Sequence, residues 1–250
     1  MRVRTLASAL TLVGREALRI VLPSWCVACG KELPWRDRTA SCCADCWTAL
    51  PRIAGPKCTS CALPLPDGGE AGSPVLHCIP CLADPLPLDW CEAACDYRGP
   101  MEKVLAALKF RRHDFLDDAL ASLLEQTLRV RGDLAFDALA AVPMGKARER
   151  RRGYNQAELL ARALGRRIGT ACDMTLLTRR SERATQSTLP KRARAANVRG
   201  AFAASSRVKG KSILVIDDIC TTGETLRACA TALRRAGASR VCAIAVAKAS

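Results

Sequence analysis

Four cysteine pairs, Cys26 with Cys29, Cys43 with Cys46, Cys58 with Cys61, and Cys78 with Cys81, share one C-x-x-C spacing in the first third of this 250-residue chain. Two residues between thiolates let a tight turn aim both sulfurs at one ion while turn amides stabilise their charge, and a tetrahedral site needs two such knuckles. Eight ligands therefore make two zinc sites. The intervals of 13 residues (Cys29 to Cys43) and 16 residues (Cys61 to Cys78) lie close to the window usual for four-cysteine sites. All four positions per site are thiolates, so the zinc is structural and leaves no open position for catalysis. Few apolar residues separate the knuckles. Metal binding of about 10–16 kcal/mol per site supplies the stability that the segment's own core cannot. Sequential pairing makes two ribbons and alternate pairing a cross-braced unit; spacing alone leaves both open. Cys42, beside Cys43, would lengthen its knuckle to C-x-x-x-C and is left out of the ligand set.

A disulfide framework would need an oxidising compartment. The opening residues have Arg2 and Arg4 before an apolar stretch, but Arg15, Glu16 and Arg19 interrupt it. Leu6, Leu10, Val13, Ala17 and Ile20 recur at helical spacing, which predicts an amphipathic docking helix over 1–22, ended by Pro23. The expectation is a cytoplasmic chain without an integral membrane span.

Charge divides the chain differently. Residues 1–98 carry 10 basic and 10 acidic side chains, whereas residues 143–212 carry 18 and 4, nearly the whole net charge of +15. Cysteines are polarised the opposite way, with 11 of 15 between Cys26 and Cys95. The expected domains are the helix (1–22), a double zinc ribbon (23–90) and an α/β domain (91–250). Trp25, Trp35, Trp47 and Trp90 all fall in or beside the cysteine module, where they are expected to cap small zinc cores. Cys91, Cys95, Cys172, Cys220, Cys229 and Cys242 read as small core residues.

The chemistry is concentrated later. Ser212 to Ile216 is a β-branched apolar run, followed by Asp217, Asp218, Ile219, Cys220, Thr221, Thr222, Gly223, Glu224 and Thr225, and then by a helical pattern through Leu226, Cys229, Ala230 and Leu233. This reads as strand, loop and helix. Ligands of open α/β sheets gather at strand carboxyl ends, and a loop opening onto a helix presents free amides to a phosphate, so Thr221 to Thr225 are expected to bind one. The loop has neither the lysine nor the spacing of a nucleotide-triphosphate loop. Adjacent carboxylates before a phosphate cradle make sense when the same ligand brings hydroxyl donors or a cation. A ribose 5-phosphate with magnesium brings both, its vicinal hydroxyls donating to Asp217 and Asp218.

The string VIDDICTTGET resembles the phosphoribosyl pyrophosphate loop of type I phosphoribosyltransferases. Together with the four C-x-x-C pairs, Lys109 and Phe110, RRGYNQAELLA (Arg151 to Ala161), Gln186 with Leu189, and RAANVRGAF (Arg194 to Phe202), it is similar to the ComF competence family over most of the chain. The resemblance implies a type I phosphoribosyltransferase fold, Rossmann-like with a mainly parallel sheet, behind a double zinc ribbon. It further implies phosphoribosyl pyrophosphate with magnesium as ligand, and an association with DNA uptake in natural transformation. Asp137 to Val142 is then a strand, Pro143 to Lys146 the pyrophosphate-contacting loop, and the next helix begins near Asn155. Arg179 to Arg194, with Arg180, Arg183, Gln186, Lys191 and Arg192, is expected to be the loop that closes over the diphosphate. In purine-salvage relatives the fifth loop residue is acidic, and here it is Thr221. Three functions follow: a DNA-uptake protein that binds phosphoribosyl pyrophosphate and single-stranded DNA alongside uptake-machinery proteins, a salvage phosphoribosyltransferase, and a non-catalytic sensor of the sugar diphosphate.

Overall fold

In the computed structural model, residues 25–34, 41–65, 76–110, 116–180 and 200–249 are described. The helix expected over 1–22, Trp35, and Arg183 with most of its loop lie outside them. The chain forms two compact units.

One unit holds the described residues up to Leu50 together with Gly99–Leu116. Its first knuckle is a tight turn in which the Cys26 amide donates to the Lys31 carbonyl (2.8 Å) and Gly30 donates back to Cys26 (2.9 Å). The second knuckle runs from Cys43 into a single helical turn, α1 (Ala44–Thr48). Nζ of Lys103, on α3 (Pro100–Phe110), donates to the Ala28 carbonyl at 2.9 Å and pins the first knuckle.

The other unit comprises Pro51–Arg98 and Asp117–Ser250. It holds the second pair of knuckles, whose last carries α2 (Ile79–Ala83), and a four-stranded sheet. The strands are β1 (Trp90–Asp96), β2 (Ala138–Ala141), β5 (Ser212–Cys220) and β6 (Arg240–Lys248), in the order β1-β6-β5-β2 and all parallel. Eight of the nine residues of β6 are buried, the near-continuous apolar run expected of a strand covered on both faces. A separate antiparallel pair, β3 (Leu177–Arg179) and β4 (Phe202–Ala204), lies against a helix.

That helix, α7 (Glu224–Arg235), buries Leu226, Cys229, Ala230 and Leu233, the i, i+3, i+4, i+7 face legible in the sequence, and packs on β4 and β6. Most of α4 (Leu116–Arg131) also belongs to this unit, its leucines at 120, 123, 124 and 128 buried. Between β2 and β3 come α5 (Lys146–Arg152) and α6 (Gln156–Ile168), the latter packed on β5 and β2. Gly165 permits a close approach there, because a Cβ would stand 2.7 Å from the Thr170 carbonyl oxygen. No helix among the described residues is long and apolar enough to cross a membrane.

Three expectations are corrected. The strand read as Ser212 to Ile216 continues to Cys220, because Asp217, Ile219 and Cys220 stay in register with Ala245, Ala247 and Lys248 of β6. The basic residues after Pro143 form the short helix α5 rather than a loop, and α6 starts where expected, with Asn155 as its N-cap. The tryptophans do not cap zinc cores as a group. Trp90 lies in β1, donates to Asp133 Oδ2 at 2.9 Å, and stacks edge-on against Phe136 at 6.0 Å, while Trp25 is 58% exposed.

Candidate functional site

The eight knuckle cysteines gather into two tetrads, Cys26/Cys29/Cys43/Cys46 and Cys58/Cys61/Cys78/Cys81, each with its sulfurs within 4.8 Å of one another. Pairing is therefore sequential. Four converging sulfurs fit a tetrahedral zinc and fill every position. The turns also prepare the charge. Burial raises the Cys26 thiol, but the amides of Cys43, Cys29 and Ala28 outweigh it and bring it down to about 6. Cys58 is lowered to about 6 against its burial in the same way, by the amides of Cys78, Cys61 and Ser60. Cys42 stays outside the first tetrad. Its sulfur lies 3.9 Å from that of Cys26, and burial pushes it up to about 12.

The tetrads differ in exposure. All four cysteines of the second are buried, with Leu86 completing their cluster and Leu63, Leu65 and Leu88 packed on it. In the first only Cys26 is buried, and Cys29 is exposed.

Asp217 and Asp218 occupy the carboxyl end of β5, the second strand from the sheet edge. The Asp218 amide donates to Asp217 Oδ1 at 2.8 Å. Burial first and the neighbouring Asp218 charge second hold the Asp217 carboxyl well above its usual range. Beyond Cys220 the chain turns through exposed Thr221 and Thr222 to Gly223, whose φ of +82° suits glycine, and enters α7 at Glu224. No side chain caps this helix, and the amides of its first turn have no intrahelical partner. Thr225 lies in that turn, and Glu224 is held by Arg227 Nε at 3.5 Å.

The neighbouring strand exits beside this turn. Ala141 of β2 pairs with Ile216, and the Val142 amide donates to the Ile216 carbonyl at 3.0 Å. Pro143 to Lys146 therefore leaves the sheet alongside Asp217, with Lys146 exposed at the start of α5. Asn155 supports that exit, donating through Nδ2 to the Val142 carbonyl (3.0 Å) while its Oδ1 accepts from the Ala157 amide (3.1 Å). A cavity of about 820 Å³ lies on another flank of α7, lined by Phe202, Glu224, Arg227 and Arg235 among others, and neither aspartate reaches it.

One residue at this turn escapes sequence reasoning. Lys248 ends β6 and is only 5% exposed, yet its Nζ donates to the Thr221 carbonyl. A lone lysine closing an apolar strand reads as a solvated end, so nothing in the pattern marks it.

Comparison with known proteins agrees with this layout. A double zinc ribbon domain model matches residues 17–82, and a phosphoribosyl transferase domain model matches residues 150–250. DNA utilization protein YhgH of Salmonella typhi is 36% identical over 188 residues, which cover 74% of this chain and 80% of that protein. Competence protein ComFC of Bacillus subtilis is 30% identical over 202 residues, 78% of each chain. Competence protein F of Haemophilus influenzae is 28% identical over 181 residues, 70% of this chain and 79% of that one. With tandem cysteine ribbons joined to a phosphoribosyltransferase domain, and with such relatives over most of its length, the chain belongs to the ComF family.

Proposed function

We propose that the protein binds phosphoribosyl pyrophosphate at the end of β5 and serves DNA uptake by holding single-stranded DNA. One observation carries the ligand reading: two adjacent carboxylates on a strand end lead directly into a turn that opens on an uncapped twelve-residue helix. Carboxylates accept from vicinal hydroxyls, and free amides, helped by the helix dipole, donate to phosphate oxygens, so a phosphorylated pentose satisfies both ends. Asp217 and Asp218 also suit a hard divalent cation such as magnesium, which when bound would neutralise the diphosphate oxygens. Lys146, from the neighbouring strand exit, is assigned to the diphosphate as well, with Arg183, which lies outside the described residues. Asp217 and Asp218 orient the ribose, Thr221 to Thr225 anchor its 5-phosphate, and Lys146 and Arg183 offset the charge of the bound diphosphate.

The test is calorimetry of the intact protein with phosphoribosyl pyrophosphate and magnesium. Binding should be measurable in the wild type and lost in Asp217→Asn/Asp218→Asn, with the fold retained by circular dichroism. Undiminished binding in that variant removes the ribose assignment.

The DNA part rests on the net charge of +14 across residues 143–212, on exposed Arg148, Arg150 and Arg151 in α5, and on the relatives named for competence and DNA utilization. Cytoplasmic placement and contacts with uptake-machinery proteins belong to the same proposal. A second reading, sensing without turnover, is favoured by Thr221, which offers no acid or base to an acceptor. Pyrophosphate release with any nucleobase would remove it in favour of transfer.

A further inference from the structure

The second cysteine ribbon and the turn after β5 share a wall. Cys220, the last residue of β5, directs its thiol at the Cys61 carbonyl oxygen, 3.8 Å away and inside the second tetrad. Leu86, buried with that tetrad, has its Cδ1 2.9 Å from where a Cβ on Gly223 would stand. The turn therefore closes directly on this leucine. Arg227, in the first turn of α7, clamps the chain just before that contact. Its Nη1 donates to Asp84 Oδ1 (3.1 Å) and to the Pro85 carbonyl (3.0 Å), and its Nη2 donates to the Asp84 carbonyl (2.9 Å). Asp84 is the C-cap of α2, the five-residue helix that carries Cys81.

These contacts form a short chain of cause. A helix of one turn does not hold itself together in water, so α2, with Cys78 as its N-cap and Cys81 within it, would depend on the metal that these two cysteines help to hold. Asp84, Pro85 and Leu86 follow α2 directly and pack against the turn after β5 through Arg227 and Gly223. We propose that metal occupancy of the Cys58/Cys61/Cys78/Cys81 tetrad sets the geometry of the Thr221–Thr225 turn, with Leu86 and Arg227 as the positioning residues that transmit it. Affinity for the phosphorylated sugar then follows the loading of this ribbon, a coupling that rests on the ligand reading above.

The experiment uses the full chain and three variants: Leu86→Ala, Arg227→Met and Cys78→Ser/Cys81→Ser. Zinc content, amide hydrogen exchange and calorimetry with phosphoribosyl pyrophosphate and magnesium are measured on each. Leu86→Ala and Arg227→Met should keep their zinc while exchange across residues 221–227 speeds up about tenfold or more, with residues 241–247 as protected as in the wild type. Ligand affinity should fall by about tenfold in Leu86→Ala and recover in Leu86→Met, which keeps the volume. Should the cysteine variant fail to fold, Leu86→Ala decides. Wild-type exchange at 221–227 in a folded variant that has lost Leu86 or the second metal overturns the coupling. Faster exchange in a protein whose wild type binds no phosphoribosyl pyrophosphate overturns the ligand reading and leaves the coupling standing.

Discussion

The amide of Asp218 donates to Oδ1 of Asp217 at 2.8 Å, one hydrogen bond that favours the charged carboxylate against burial and a neighbouring like charge. That single donor does not offset the other two effects, and the Asp217 carboxyl stays raised.

A pH dependence follows. Because the folded-state pKa is raised, the ligand-free fold binds a proton at Asp217 that the unfolded chain releases, and this site's contribution to stability falls as pH climbs above the ordinary carboxylate range, about 4. Asp217→Asn removes that penalty. The variant should melt higher than the wild type at pH 7 without ligand, and the difference should shrink as the pH falls toward 4. Binding of the sugar diphosphate with its cation should in turn release a proton, visible in calorimetry as a heat that depends on the buffer. An unchanged or lower melting temperature would show that Asp217 is charged in the free protein.

The two tetrads should lose their metal at different rates. Cys29 is exposed and Cys43 and Cys46 half-buried, whereas all four cysteines of the second tetrad are buried. A chelator reaches the first set without opening the fold and the second only through local unfolding. Titration with a coloured zinc chelator should therefore give two phases of about equal amplitude, one fast and one slow. Cys29→Ser should abolish the fast phase alone.

Much of this was legible because ligand spacing and turn chemistry are local. The C-x-x-C pairs name the eight ligands, while their sequential pairing emerges only in the fold; Asn155 marks the start of α6, and the face of α7 reads from Leu226 to Leu233. What stayed hidden depends on partners distant in sequence. Asp217 and Asp218 look like a loop because acids are poor strand residues, yet backbone pairing with β6 extends the strand through them. Trp90 sits close to the cysteines in the chain but is claimed by Asp133 and Phe136, more than forty residues on. Leu86 sits in a proline-rich stretch with no periodicity, and only the fold brings it against Gly223.

Glu92 ties the second ribbon to the sheet. This buried residue of β1 forms an ion pair with Lys57, next to Cys58, and with Arg131 at 2.7 Å. Removing one member of a buried pair costs about 3–5 kcal/mol because the remaining charge is stranded. Lys57 and Arg131 keep side-chain exposures of 24% and 28%, so both can rehydrate and the lower figure applies. Glu92→Gln should lower the melting temperature by roughly 6–12 °C, taking 2–4 °C per kcal/mol. A shift under about 2 °C would mean that the two cations are satisfied by water alone.

DNA binding separates two readings of the basic surface. If α5 tracks a phosphate backbone, Arg148, Arg150 and Arg151, all exposed, each release counterions on binding. Each contact adds about 0.7 to the slope of log affinity against log salt for a single strand. Arg148→Ala/Arg150→Ala/Arg151→Ala should then weaken binding to poly-dT and flatten the slope by about 2, while Arg162→Ala, which removes an arginine already paired with Glu158 at 2.6 Å, should change neither. If the charge serves only the polyanionic sugar ligand, the triple variant keeps the wild-type slope and loses affinity for phosphoribosyl pyrophosphate instead. Measuring both ligands on the same variants distinguishes the two, because a backbone contact is read in the salt slope and a sugar-diphosphate contact in the calorimetric affinity.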